Sequence, residues 1–269
     1  MKILLYIDSL NRGGAERVMA NLANTFSEKG EDIILVNSFP EEMEYKINPR
    51  VKRYYLEKSK PQKRMLVKKN ITRIYKLRKI LKKEHCNVAL SFSEGPNFRL
   101  IFSTRFLPIR TIISVRSDPK IIYSNTIYKI MANLVYSISD ACVFQTEEAR
   151  DFFGRRVKSK SVIILNPVSS EFYKQHNSLI KGNVVSLGRL EECKNFQLLI
   201  SAFSKICNEF PDDNLLIYGE GTIRTKLEEQ IKTLSLENRV YLPGRVNDVA
   251  EKIRDAKVYV LSSNYEGLP

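Results

Sequence analysis

Arg189 and Lys194 stand close together in SLGRLEECKN (186–195), just after an apolar run and at the entry to a helical pattern. A guanidinium can chelate two oxygens and an ammonium acts as a compact point charge, so two cations meeting a helix N-terminus on one loop suit a diphosphate. Gly188 precedes them and keeps the turn small. Similar strand-to-helix turns recur at YGEGTIRTKLEE (218–229), with Gly219 and Glu220, and at LPGRVND (242–248), with Gly244, Arg245 and Val246. SSNYEGLP (262–269) adds Glu266, Gly267 and Leu268 where a further turn would stand. Any one of these could be ordinary turn chemistry. A series of them at one sheet edge is harder to dismiss. Near the N-terminus, SLNRGGAERV (9–18) sets Gly13 and Gly14 between a strand and a helix start. Two readings stay open there: small residues that let backbone N–H groups approach an anion, or a tight turn with no ligand. The spacing is not G-x-G-x-x-G, so there is no dinucleotide fingerprint.

Such turns require strands that end at them. Apolar runs at 2–7, 32–38, 87–92, 110–115, 141–144 and 161–165 alternate with helical patterns, which predicts a mostly parallel sheet covered on both faces. The pattern restarts after the polar stretch 169–182, with strands at 183–187, 214–219, 239–244 and 257–263 and helices near 195–209, 222–234 and 248–256. The expected fold is α/β with two Rossmann-like, doubly wound domains facing a cleft, residues 1–170 and 180–269. The second domain stops soon after a strand, so it is expected to be partial. The apolar stretch 121–144 is broken by Lys129 and Asp140 and is expected to hold a buried helix leading into a strand rather than a membrane span.

Composition narrows the chemistry. The 269 residues include only two histidines, His85 and His176, and four scattered cysteines without metal-ligand or disulfide spacing. A reducing cytoplasm fits, and a mechanism that depends on histidine does not. The net charge of +14 is concentrated between Arg50 and Glu84, which alone carries +13. Within it, residues 61–85 predict a helix after Pro61, with Leu66, Val67, Ile71, Ile74, Leu77 and Leu81 on one face. Lys68, Lys69, Arg73, Lys76, Lys79 and Lys83 cover the other face, which is expected to be exposed. A solvated lysine face is the usual meaning of such a run. A cluster this large also suits an anionic membrane surface, where each basic residue contributes about 1 kcal/mol. Aromatic stacking positions are sparse in it, which argues against a nucleic-acid partner.

Taken together, GGAERV (13–18), LNPV (165–168), SLGRLEECKN (186–195), YGEGTIRTKLE (218–228), VYLPGRVNDV (240–249) and VYVLSSNYEGLP (258–269) resemble the retaining glycosyltransferases of family 4, which have the GT-B fold. The resemblance implies that Arg189 and Lys194 contact the donor diphosphate. It implies that Glu266 is the first glutamate of an E-x7-E motif and holds a donor sugar hydroxyl. By the same resemblance Gly267 and Leu268 offer amides to sugar and phosphate, Gly244 to Val246 lie along the nucleobase, and Gly13 with Gly14 leave room for diphosphate and acceptor. The second glutamate, expected at position 274, falls outside this chain, so the motif is expected to be cut short. Relatives often carry histidine where Arg116 stands. Arg116 could hold an acceptor phosphate or the donor sugar, or simply pair with Asp118 or another carboxylate.

The implied reaction moves a hexose or N-acetylhexosamine from a UDP-sugar to a lipid-linked or cell-surface glycan with retention at the anomeric carbon. Negative charge grows on the departing diphosphate, so fixed cations and amide dipoles are the useful groups, and the leaving phosphate can itself accept the acceptor's proton. No metal or cofactor is expected, since Asp-x-Asp ligand pairs are missing. The basic helix is similar to that of bacterial transferases extending undecaprenyl diphosphate-linked oligosaccharides, with Lys68, Lys69, Arg73 and Lys76 as candidates for lipid or acceptor contact. The implied location is cytoplasmic, peripheral at the inner face of the plasma membrane. Two alternatives remain: a non-catalytic fragment binding nucleotide or anionic membrane, and a UDP-sugar epimerase on the same fold.

Overall fold

The computed structural model describes residues 1–11, 13–60, 66–168, 170–173, 183–246, 248–254 and 256–266, and the side chains of 66–68 and 170 lie outside that description. The chain divides into two compact units, Met1–Pro167 and Val168–Glu266. Unit 1 runs β1 (Lys2–Ile7), α1 (Gly14–Glu28), β2 (Asp32–Asn37), β3 (Lys52–Tyr55), α2 (Leu66–Glu84), β4 (Val88–Phe92), α3 (Glu94–Thr104) and β5 (Arg110–Ser114). It continues through α4 (Pro119–Ile122), α5 (Thr126–Tyr136), β6 (Ala141–Phe144), α6 (Glu147–Asp151), α7 (Arg155–Lys158) and β7 (Ser161–Ile163). Its seven strands form a parallel sheet in the order β3-β2-β1-β4-β5-β6-β7.

The central strand explains the layering. Ile3, Leu5 and Ile7 of β1 pack with Met19 and Ala23 of α1, while Leu4 and Tyr6 pack with Leu77 and Leu81 of α2 and Leu100 of α3. Alternate side chains point to opposite faces, and both faces are covered, so the strand reads as a continuous apolar run. The chain turns back between β3 and β4, and the carboxyl ends of β1 and β4 therefore flank a topological switch point. α5 joins α2 and α3 on their face through a core that includes Ile101, Tyr136 and Phe144.

Unit 2 contains β8 (Val184–Leu187), α8 (Phe196–Ile206), β9 (Leu215–Tyr218), α9 (Arg224–Thr233), β10 (Val240–Gly244), α10 (Val249–Arg254) and β11 (Val258–Tyr259). Its parallel sheet has the order β10-β9-β8-β11. Phe196, Ile200 and Phe203 of α8 and Leu227 and Ile231 of α9 close its core over Leu215 and Ile217.

Three expectations change. β3, whose sequence KRYY lacks an apolar run, is an edge strand held by α2: the Glu84 carboxylate accepts from Lys52 Nζ at 2.8 Å and from the Tyr54 hydroxyl at 2.5 Å. α2 is rotated from its expected setting. Arg73, placed on the exposed basic face, is 3% exposed and donates from Nε to Glu57 Oε1 at 2.6 Å, whereas Ile71, placed inward, is 67% exposed. The Glu57 carboxylate beneath the helix would otherwise be desolvated with less cationic compensation. The stretch 121–144 holds the end of α4 and then α5 leading into β6, as expected, but α5 is buried on one side only: it buries Ala132, Val135 and Tyr136 while Ile127, Ile130, Met131 and Leu134 are exposed.

Burial raises the Glu57 pKa, and hydrogen bonds from Arg73 and Lys69 more than reverse this, holding the carboxyl below its ordinary range. Arg73→Ala should lower stability by about 3 kcal/mol near neutral pH, because the remaining charge loses its main buried partner. The pH dependence has a definite sign: the stabilisation is present above the unfolded-state carboxylate pKa and is lost as pH falls through the depressed folded-state value. Denaturant titrations of parent and variant should therefore converge in acid.

Candidate active site

The carboxyl ends of β8, β9 and β10 lie along one edge of unit 2, and a glycine turn stands on each. Backbone hydrogen bonds join the turns: Gly188 N–H to the Tyr218 carbonyl (3.0 Å), Gly219 N–H to the Gly244 carbonyl (2.8 Å) and Leu190 N–H to the Glu220 carbonyl (3.0 Å). Gly219 has φ of +149°, and a Cβ on it would stand 1.8 Å from the Gly188 carbonyl oxygen. Only glycine permits that approach. Glu220 is clamped across the edge: its Oε1 accepts from Arg224 Nη1 at 2.6 Å, while Arg224 Nη2 donates to the Leu242 carbonyl at 2.9 Å. After β10, Arg245 is exposed and Val246 is half-buried.

Arg189 is exposed on the loop after β8, with Nη1 3.1 Å from Glu191 Oε1. An exposed pair of this kind is weak, so the guanidinium can exchange its partner for a phosphate at little cost. Lys194 closes a 3-10 turn, Glu192–Lys194, and Asn195 at φ +50° leads into α8. Its ammonium donates to Glu266 Oε1, which also accepts from the Ser263 hydroxyl at 2.6 Å. The Ser262 hydroxyl donates to the Lys194 carbonyl at 2.8 Å, and the Asn264 N–H donates to the Cys193 carbonyl at 2.9 Å. Two residues far apart in sequence, one proposed for phosphate and one for sugar, are thus in direct contact. Gly267 and Leu268 lie outside the described residues.

The switch-point edge of unit 1 is more buried. Gly13 caps α1 without a side-chain hydrogen bond. A Cβ there would come within 2.3 Å of the flexible Glu16 carboxylate, whereas one on Gly14 meets nothing within 4 Å among the described residues. Arg116, at the end of β5, donates from Nη2 to Asn166 Oδ1 at 2.6 Å, and its guanidinium lies 4.4 Å from the Phe92 ring centroid. Asp118 instead caps α4 by accepting from the Lys120 N–H at 2.9 Å, so the alternative pairing with Arg116 is not formed. Burial pushes the Arg116 pKa down to about 10, and among the described residues no carboxylate forms an ion pair with it. A desolvated cation of this kind suits an anionic ligand.

The lysines of α2 are less free than a helical wheel implies. Lys69 Nζ is 3.2 Å from Glu57 Oε2, and Lys76 Nζ donates to the Leu56 carbonyl at 2.6 Å. Arg73 is buried, which removes it from any lipid-facing surface, and the Lys68 side chain lies outside the description. Sequence reasoning missed Asp8, Arg99 and Glu94. Asp8 Oδ1 accepts from the Ser38 hydroxyl at 2.5 Å and from Arg99 Nη2, and Arg99 Nε donates to the Tyr6 hydroxyl at 2.7 Å. A carboxylate directly after the first strand was the available signal for Asp8. Glu94 follows Ser93, which has φ of +75°, and its buried Oε1 has no hydrogen-bond partner among the described residues. Burial pushes its pKa up, so this carboxyl retains a proton more readily than an exposed one.

The sequence profile "Glycosyltransferase Family 4" matches residues 12–172, and "Glycosyl transferases group 1" matches residues 170–269. The chain belongs to glycosyltransferase family 4. Over 273 residues it is 29% identical to a Campylobacter jejuni protein named GalNAc-alpha-(1->4)-GalNAc-alpha-(1->3)-diNAcBac-PP-undecaprenol alpha-1,4-N-acetyl-D-galactosaminyltransferase, a match spanning 100% of this chain and 75% of that relative. A second C. jejuni relative, named N-acetylgalactosamine-N,N'-diacetylbacillosaminyl-diphospho-undecaprenol 4-alpha-N-acetylgalactosaminyltransferase, is 28% identical over 283 residues, with 99% of this chain and 75% of its own length covered. Among solved structures, Thermosynechococcus elongatus sucrose-phosphate synthase superposes with a TM-score of 0.81 at 14% identity, covering 100% of this chain and 77% of that one. Staphylococcus aureus TarM, solved with UDP, gives 0.74 at 15% identity, covering 99% and 82%. The family 4 glycosyltransferase thus has the GT-B fold, with a Rossmann-like sheet in each unit.

Two substitutions separate structural from ligand-facing roles. Gly219→Ala should destabilise unit 2 by more than about 2 kcal/mol, read as early melting or protease cleavage within 184–259, because a Cβ collides with backbone. Arg116→Met should leave the melting temperature unchanged or slightly raised, within about 1 kcal/mol, because an apolar side chain escapes the desolvation cost of an unpaired charge.

Proposed function

We propose that this glycosyltransferase moves a hexose or N-acetylhexosamine from a UDP-sugar to a hydroxyl of a lipid-linked or cell-surface glycan, with retention at the anomeric carbon. The observation that carries the reading is the contact between Lys194 and Glu266 at the β8 edge, with Arg189 on the same loop. UDP in the solved TarM complex and the undecaprenol-linked acceptors in the names of both C. jejuni relatives support donor and acceptor class.

In this reading Lys194 and Glu266 hold each other until the donor arrives. The ammonium then turns to a diphosphate oxygen, and the released carboxylate accepts a hydrogen bond from a sugar hydroxyl. Arg189 chelates the diphosphate, whose charge rises as the glycosidic bond breaks, so its interactions are stronger in the transition state than in the ground state. The departing phosphate oxygen takes the proton of the attacking hydroxyl. These cations do the work otherwise given to a divalent metal, and no cofactor is invoked. Arg116 supplies a buried positive charge for an acceptor phosphate or the donor.

The same proposal places the enzyme at the inner face of the plasma membrane. Lys79, Lys82 and Lys83 of α2 are exposed and offer charge to anionic headgroups. Among the described residues no helix is long and apolar enough to cross a membrane, so contact would be peripheral.

UDP release, assayed with UDP-sugars and undecaprenyl diphosphate-linked saccharides, tests this function. Arg189→Ala and Lys194→Ala should each lower kcat by about 100-fold or more with the fold retained by circular dichroism. Full turnover in both variants would refute the assigned roles.

A further inference from the structure

α5 presents an unusual surface. Its inward side is packed in the core, yet Ile127 (77% exposed), Ile130, Met131, Leu134 (61%) and, just beyond its end, Ile138 stand in solvent. They fall at i, i+3, i+4, i+7 and i+11, a single stripe. A helix that is apolar nearly all round is ordinarily covered on every side. The stripe continues onto neighbouring elements. Phe98 of α3 stacks on Tyr128 of α5 with ring centroids 5.9 Å apart, which sets Phe102, itself exposed, beside the same surface. Phe106 is 86% exposed, has φ of +61°, and lines a common cavity with Ile138. A bulky residue with positive φ is a genuine outlier, and this one holds an aromatic ring away from the protein. Arg78 of α2 donates to the Ser103 and Arg105 carbonyls at 2.9 and 2.7 Å, so α2, with Ile71 and Tyr75 exposed, borders the patch as well.

Charge identifies the occupant. Around the stripe Arg105, Arg110, Lys120 and Lys129 are exposed, against the carboxylates of Asp118 and Asp140. The Arg105 guanidinium lies 4.6 Å from the Phe106 ring centroid. Bordering α2 adds further lysines. A second copy of this chain would set one cationic rim against another. An anionic bilayer satisfies both features at once, with apolar side chains entering the acyl boundary and the rim meeting headgroups. α5 has 11 residues, too few to span a bilayer, so it would lie in the interfacial plane.

We infer that the outer face of α5, with Phe102 and Phe106, is an apolar anchor that inserts into an anionic membrane interface. The inference rests on the peripheral membrane reading above and deepens it: binding requires apolar insertion in addition to charge.

The chain has no tryptophan, so Phe106→Trp and Leu134→Trp each install a single indole reporter. With vesicles of phosphatidylcholine and phosphatidylglycerol, both should blue-shift and be quenched by brominated acyl chains, while Tyr241→Trp in unit 2 should not change. Cosedimentation of the double variant Ile130→Asn, Leu134→Asn should fall about tenfold or more, with a melting temperature like the parent's. Charge reversal at Lys79 and Lys82 should weaken binding separately and reduce its salt sensitivity. If only the charge variants matter and the indoles stay unshifted, the anchor is refuted while the electrostatic reading stands. If the parent binds no vesicles at low salt, both fail. If the parent is a dimer that the double variant dissolves, without vesicle binding, the face belongs to a second copy and the inference is overturned.

Discussion

Parallel strands can be joined only by crossovers, and because the strands all run the same way every strand-to-helix turn of a sheet falls on the same edge. In unit 2 this brings the turns after β8, β9 and β10 together, close enough for backbone hydrogen bonds between Gly188 and Tyr218 and between Gly219 and Gly244. Crowding of that kind explains the glycines without reference to a ligand: a Cβ on Gly219 or Gly221 would overlap a neighbouring carbonyl. The consequence for chemistry is that Arg189 and Lys194 reach the same crowded edge, because both lie on the loop that leads from β8 into α8.

How each cation is compensated separates the structural groups from those suited to ligands. Arg73 and Arg99 are buried on carboxylates, Glu57 and Asp8, and hold α2 and α3 to the sheet. Lys194 also has a carboxylate, but Glu266 is reached across a loop and both remain partly accessible. Arg116 has an amide oxygen and an aromatic face and, among the described residues, no counterion. Desolvation without neutralisation is unfavourable for folding, and it is the condition under which an incoming anion gains most.

The layer formed by α2, α3 and α5 shows the same division at larger scale. Its inner surface is closed and, apart from the buried Arg73 and Arg99 ion pairs, largely apolar, while its outer surface combines lysines of α2 with an open apolar stripe on α5. Orienting a transferase at a bilayer would shorten the search for a lipid-borne acceptor from three dimensions to two, and a surface that is apolar at the centre and cationic at the rim is the form such docking takes.

Much of this was legible in the amino-acid order. Apolar runs located β1, β2, β4 to β6 and β8 to β10 nearly to the residue, and the restart of the pattern after 182 separated the sheets, because an apolar run is a local property. The glycine and cation turns could be read for the same reason. What the order could not convey was partnership. KRYY becomes β3 only because Glu84 waits on α2; Arg73 turns inward only because Glu57 lies beneath it; Ile71 and the α5 stripe turn outward because the sheet has already been covered. Local sequence determined which segments form strands and helices and where small or charged residues end them. The tertiary structure alone decided which charges are paired and which apolar faces stay open, since those depend on contacts between residues that sequence spacing does not bring together.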